Sequence, residues 1–293
     1  MKNIAVLITV FNRIEKTLNC LHSLFEADTK DLELTIKVFL TDDGSSDGTT
    51  EIIKKRFKDK NVLILPGTGN LFWNGGMNNS WRAALKEGSF DGFLWLNNDS
   101  VVYPNLWKEI FIAEEYSNNT FGRGGIYVGS TWDKFNKRLS YGGFLFTNKW
   151  TLNDKFLEPN GQFQVCHAAH GNITYVSKDV ADSEGIFCDK YIHGGGDHDY
   201  TYLAHKHGFP LFVLRTYVGE CVNDHVISEF SMENMSLRDR LIYVKSPLGY
   251  NLNNTLLFQK RCFPYRYPFV WCMIYFKLLF PKFYYKIYRF LRS

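Results

Sequence analysis

The sequence has no CxxC pair. Its six cysteines (Cys20, Cys166, Cys188, Cys221, Cys262, Cys272) are scattered, which excludes a zinc ribbon or dithiol motif and reads as reduced thiols in a cytoplasmic protein. No stretch is long and clean enough for a transmembrane helix. The apolar run Ile4–Phe11 lacks a signal-peptide cleavage site and leads into charged Arg13, Glu15 and Lys16. A strong basic excess is also missing: the net charge is only +4, which disfavours a nucleic-acid partner. The loop at 42–49 has neither the GxxxxGK[ST] cradle of a nucleoside triphosphatase nor the GxGxxG dinucleotide fingerprint.

What is present suits a large α/β domain. The chain has 293 residues, 45% of them hydrophobic, enough for one large domain or two small ones. Ile4–Val10 is a continuous apolar, largely β-branched run, expected as a parallel strand covered on both faces. Helical spacing follows over Arg13–Ala27, a strand over Leu34–Leu40, a helix over Thr50–Phe57 and a strand over Val62–Leu65. This βαβαβ order implies right-handed crossovers and a mostly parallel sheet. Gly67–Asn79 reads as a glycine-rich loop before a helix at Asn78–Glu87.

Two acidic stretches organise the chain. The strand Phe93–Leu96 ends abruptly in Asn97-Asn98-Asp99-Ser100. In open α/β sheets ligands bind at that edge, and a lone carboxylate among neutral oxygens suits a hard divalent cation on a diphosphate. Later, Gly194-Gly195-Gly196 leads into Asp197-His198-Asp199, a place for a general base. Each acidic group alone is equally well read as a turn or helix-cap residue. Asp42-Asp43-Gly44-Ser45 also follows a strand and precedes a helix. A carboxylate there can accept the imide N–H of a pyrimidine. Trp73 can cover a base or sugar face, and Asn74 or Asn78 can reach sugar hydroxyls. His167 and His170 read as buried, satisfied histidines.

These pieces, in this order, resemble family 2 glycosyltransferases of GT-A fold, and in particular the rhamnosyltransferase-like branch of bacterial surface-polysaccharide (O-antigen) enzymes. The resemblance covers Met1–Ser228 through Thr9–Arg13, Asp42–Thr49, Gly69–Gly76, Leu96–Asp99, Gly185–Phe187, Gly196–Asp199 and His225–Ser228. It implies a central, mostly parallel sheet flanked by helices, and transfer from a nucleotide-diphosphate sugar to a hydroxyl of a lipid-linked glycan. The implied donor-binding residues are Thr9, Phe11, Arg13, Asp43, Gly69, Asn70, Trp73, Asn74, Gly75, Asn78, Asn98 and Asp99. Asp99 and His225 would hold Mg²⁺ or Mn²⁺, and Asp197 would be the base of an inverting displacement. Asn97, Gly196 and Leu203 stand where the family usually has an acid, Glu and Arg.

The expected domain is 1–255, with a nucleotide-sugar half at 1–105 and an acceptor half at 106–255. A basic-aromatic helical tail at 256–293 completes the chain. From Lys260 onward there is no acidic residue, and prolines 264, 268 and 281 break the helical spacing. Such a tail suits a bilayer headgroup region at the inner face of the cytoplasmic membrane, or else packing on the domain or a homodimer partner. Two competing readings are a non-catalytic nucleotide- or carbohydrate-binding protein on the same fold and a sugar nucleotidyltransferase. The second would want a basic glycine-rich loop after the first strand, which Phe11-Asn12-Arg13 is not.

Overall fold

The computed structural model describes residues 1–30, 32–223 and 232–292. The first half runs β1 (Lys2–Val10), α1 (Ile14–Glu26), β2 (Leu34–Asp42), α2 (Thr49–Arg56), β3 (Val62–Pro66), α3 (Phe72–Glu87), β4 (Gly92–Leu96), β5 (Val101–Val102) and α4 (Leu106–Phe121). There follow β6 (Ile126–Asp133), β7 (Arg138–Tyr141), β8 (Gly143–Phe146), β9 (Asp154–Phe156), β10 (Gln164–Val165), β11 (Ala168–Ala169), β12 (Ile173–Ser177), α5 (Lys178–Glu184), α6 (Gly196–Lys206) and β13 (Leu211–Glu220). The chain closes with α7 (Leu237–Lys245), α8 (Leu252–Cys262), a 3₁₀ turn at Pro264–Arg266, α9 (Tyr267–Leu279) and α10 (Pro281–Arg292).

The main sheet is ordered β10-β13-β6-β12-β4-β1-β2-β3. Four of the seven neighbouring pairs along it are parallel, namely β13–β6, β4–β1, β1–β2 and β2–β3. β12 lies antiparallel between β4 and β6, so the two halves of the chain share one sheet. A small second sheet, β11-β8-β9, sits beside it.

Helices cover both faces, and β1 shows why its run is unbroken. Ile4, Val6, Ile8 and Val10 pack with Leu18, Leu21 and Leu24 of α1 on one face. Ala5 and Leu7 pack with Met77, Trp81 and Ala84 of α3 on the other. Both sides of a central strand are therefore desolvated, as parallel sheets require. Around Trp81, the rings of Trp95, Phe187 and Tyr200 pack with centroids 5.3–5.7 Å away.

The structure departs from the sequence reading in the glycine-rich stretch. It is helical from Phe72 onward, not a loop to Asn79. Gly76 there serves close packing: a Cβ on it would lie 2.0 Å from Thr9 Oγ1. β13 runs from Leu211 to Glu220 and so carries the chain to Cys221 at the sheet edge. The expected boundary at 255/256 falls inside α8, whose Cys262 is buried against the domain.

Candidate functional site

The strand directions bring the motif residues to one rim. β1, β2 and β4 run parallel, with Leu7 opposite Trp95 and Val10 opposite Asp42. Their C-terminal ends therefore deliver Phe11–Arg13, Asp43 and Asn97–Asp99 to the same edge. β12 is antiparallel to β4, so it is its beginning, at Gly171-Asn172, that reaches this edge. The Asn97 N–H donates to the Asn172 carbonyl at 2.9 Å.

Asp99 sits here with a partly exposed side chain. Arg13 Nη1 donates to its Oδ2 at 3.1 Å, and the Cys221 thiol from the end of β13 points at its Oδ1 at 3.7 Å. Burial first, and then the Asp99 charge, push the Cys221 thiol up to about 12. The same two causes raise Cys20. Both thiols are thus neutral neighbours of a single carboxylate. Among the described residues no group of three His, Cys, Asp or Glu is arranged to hold a metal. Mg²⁺, however, commonly takes one or two carboxylates and completes its shell with phosphate oxygens and water. Asp99 fits an ion of that kind and does not fit an all-protein cage. His225, the other expected ligand, lies outside the described residues.

Asp197 opens α6 and turns back to the rim. Its Oδ2 accepts the Gly171 N–H and its Oδ1 accepts the His198 N–H, both at 2.9 Å. A Cβ placed on Gly171 would touch Trp73 at 2.8 Å on one side and the Asp197 Cβ at 3.4 Å on the other. Trp73 in turn donates from Nε1 to Asn97 Oδ1 at 2.7 Å. A continuous chain of contacts thus joins Asp99, Cys221, Asn172 and Gly171 to Asp197, with Trp73 and Asn97 closing the ring.

Several expected donor residues face elsewhere. Asn74 is fully buried and its amide donates to the Cys188 and Tyr191 carbonyls. Asn78, also fully buried, donates to the Phe187 carbonyl and to Asp189. Both hold the 187–191 segment instead of reaching for sugar hydroxyls. Asn98 turns inward to Thr17 Oγ1 at 3.0 Å. The Asp43 carboxylate accepts four backbone N–H groups, from Thr68, Gly69, Leu71 and Phe72, at 2.8–3.1 Å. It shapes the loop that bears Gly69 and Asn70, and a base would have to share its oxygens. Gly75, inside α3, lies over Leu71. Thr9 is wedged under Gly76, while Phe11 stands 55% exposed past β1.

Asn12 had no role assigned from sequence, and Ser45, expected to cap the following helix, instead serves the rim. Asn12 and Ser45 lock the first two loops together: the Asn12 N–H donates to Ser45 Oγ at 2.7 Å, and Ser46 N–H to Asn12 Oδ1 at 3.0 Å. Asn74 explains the missing Glu at position 196, since a Cβ on Gly196 would lie 1.9 Å from Asn74 Oδ1. His167 and His170 are satisfied as expected, by the Phe146 N–H and the Gly142 carbonyl. His170 also packs its ring against that of His198, at 4.7 Å, beside Asp197.

The fold has solved counterparts. S. aureus TarS residues 1–349 superposes with a TM-score of 0.55 and 13% identity, over 86% of this chain and 68% of that one. The same TarS segment with UDP gives 0.55 and 15% over the same shares. With UDP-GlcNAc it gives 0.54 and 16%, over 84% and 66%. No curated protein matches the chain. The sequence pattern of "Glycosyl transferase family 2" matches residues 5–183. The GT-A architecture expected from the motifs is the one found, and the chain belongs to glycosyl transferase family 2.

Proposed function

We propose that the protein is an inverting glycosyltransferase. It would move a sugar from a nucleotide-diphosphate donor to a hydroxyl of a lipid-linked glycan in bacterial surface-polysaccharide synthesis. The single observation that carries this reading is the joining of Asp99 and Asp197 through Gly171-Asn172 and Trp73 at one rim. The donor would enter across Phe11, Asn70 and the loop shaped by Asp43, with its diphosphate beside Asp99 and Arg13. TarS is described with UDP and with UDP-GlcNAc, so uridine sugars are the first donors to try.

A divalent cation, Mg²⁺ or Mn²⁺, held by Asp99 and His225 would neutralise the leaving diphosphate as a Lewis acid. Arg13 adds a fixed positive charge at the same place. Asp197 removes the proton of the acceptor hydroxyl as that oxygen attacks the anomeric carbon, and the bond to the diphosphate breaks on the opposite side. The Gly171 and His198 N–H groups fix the direction of the carboxylate, which holds the base in line. With one base and no enzyme nucleophile, the displacement is single and inverts the anomeric centre.

The exposed faces of α9 and α10 extend this reading. Phe283, Ile287 and Phe290 line the outer side of α10, flanked by Lys282 and Lys286. Among the described residues no helix is long and apolar enough to cross a membrane. A helix of that pattern lies in the headgroup region, where a lipid-linked acceptor is found, on the cytoplasmic face.

Release of nucleoside diphosphate from a panel of sugar nucleotides, with and without a glycan acceptor, tests the proposal. Asp197→Asn should lower transfer by roughly 10²–10⁴-fold while donor binding persists. Asp99→Ala should abolish the part of donor binding that a chelator removes. Wild-type turnover by Asp197→Asn would exclude it as the base. Donor binding indifferent to both chelator and Asp99→Ala would exclude the metal role.

A further inference from the structure

Asp197 leaves a turn of three consecutive glycines, Gly194, Gly195 and Gly196. Such a turn has no side chains with which to hold itself, and glycine has the most backbone freedom to lose on ordering. Yet a base must be held to a fraction of an ångström to act. Beyond the Gly171 and His198 N–H groups, α8 adds a restraint that reaches the turn on both sides of Asp197. Upstream, Asn254 Nδ2 donates to the Gly194 carbonyl at 2.7 Å. Downstream, Arg261 Nε donates to both oxygens of Asp199, at 2.8 and 3.0 Å.

Asp199 is the buried end of this grip, with only 2% of its surface exposed. Tyr191 Oη donates to it at 3.0 Å and the Cys262 thiol at 3.5 Å. Burial, and then the Asp199 charge, raise both donors and keep them protonated. Arg261 supplies the counter-charge. A buried carboxylate stripped of its cation is strongly disfavoured, so without Arg261 the first turn of α6 would swing Asp199 toward water. Asp197 sits two residues earlier on the same turn. α8 is itself well seated. Asn251 caps it by accepting the Asn254 N–H at 3.3 Å, and Phe263 just beyond it packs on Tyr202 of α6 with centroids 4.6 Å apart.

We propose that α8 is a brace for the general base, with Arg261 and Asn254 as positioning residues acting on Asp197 through Asp199 and Gly194. This rests on the reading of Asp197 as the base. Since α8 continues into α9 and α10, it also ties the basic-aromatic tail mechanically to the reacting centre. The tail is then part of the catalytic apparatus and not only an attachment.

The test uses the full chain with three variants, Arg261→Gln, Asn254→Ala and Asp197→Asn, assayed for transfer and for nucleotide binding by calorimetry. In Arg261→Gln and in Asn254→Ala, kcat should fall roughly 10- to 100-fold, the scale of a misplaced catalytic group. Donor KM and nucleotide affinity should stay at wild-type values. Asn254→Ala deletes one hydrogen bond and leaves the ion pair, so it keeps the question open to measurement should Arg261→Gln not fold. Wild-type kcat in a folded Asn254→Ala or Arg261→Gln protein overturns the brace. So does a loss of kcat that only follows lost nucleotide binding, which would make α8 a merely structural support. Full activity in Asp197→Asn sinks the base reading separately, whatever the brace variants do.

Discussion

The Asp43 carboxylate illustrates how a motif residue acquires its role. Its place after β2 was readable from sequence, but its four backbone partners come from a loop about 25 residues away in the chain. A carboxylate accepting that many N–H groups is an organiser of backbone. Asn74, Asn78 and Asn98 follow the same logic, because an amide can serve a sugar or a buried carbonyl equally well and only the fold selects. At this scale His170 gives a testable consequence. Burial, and then His198, hold its imidazole down from an ordinary 6.5 to about 4, against the opposing pull of Asp197. Between those values the unfolded chain binds a proton that the folded chain refuses, so stability must fall as pH falls through that window. His167 and His205 are shifted the same way. The thermal midpoint should drop between pH 6.5 and pH 4, and His170→Gln should flatten the drop. A midpoint curve identical in the variant would show that His170 does not contribute.

Among the elements, α3 was the least well read, because two adjacent glycines look like a loop. Their purpose is proximity: Gly76 lets the helix lie directly on Thr9 at the end of β1. Two effects oppose each other in Gly76→Ala. Helix propensity alone would favour alanine by up to about 1 kcal/mol. Overpacking a tight contact costs about 1–3 kcal/mol, and a methyl carbon 2.0 Å from a hydroxyl oxygen belongs in the upper part of that range. Net destabilisation is expected, seen as a lower urea midpoint with unchanged slope. A variant as stable as wild type would mean that the helix can move away freely. β12 carries the matching lesson for strands. Nothing local in its sequence encodes that it inserts antiparallel between β4 and β6. That insertion brings Gly171 to the rim, where it binds the carboxylate of Asp197.

For the whole molecule the question is how the tail relates to the domain. Met232, Val244, Leu278 and Tyr285 form a small separate core that holds α7, α9 and α10 together, while α8 fastens the group to α6. On the opposite side of the tail Phe269, Phe280, Phe283 and Phe290 are each more than half exposed. Flotation with anionic liposomes should recover the wild-type chain. Lys282→Glu with Lys286→Glu should lower that recovery roughly tenfold or more, since each basic residue near an anionic surface contributes ~1 kcal/mol. Equal flotation of the two proteins would remove the membrane reading. A deletion from residue 255 onward is a poor substitute, because it also takes away Arg261.

The sequence by itself determined the class of the fold, the alternation of strands and helices from β1 to β4, and the two carboxylates on which the proposed site rests. Those features depend on local signals: apolar periodicity, glycine turns and acidic residues at strand ends. Tertiary structure alone decided which polar side chains face the rim and which brace it, and that the tail grips the turn carrying Asp197. Such choices depend on partners dozens of residues distant, and a buried amide or carboxylate must take whichever hydrogen bonds the packed chain places within its reach.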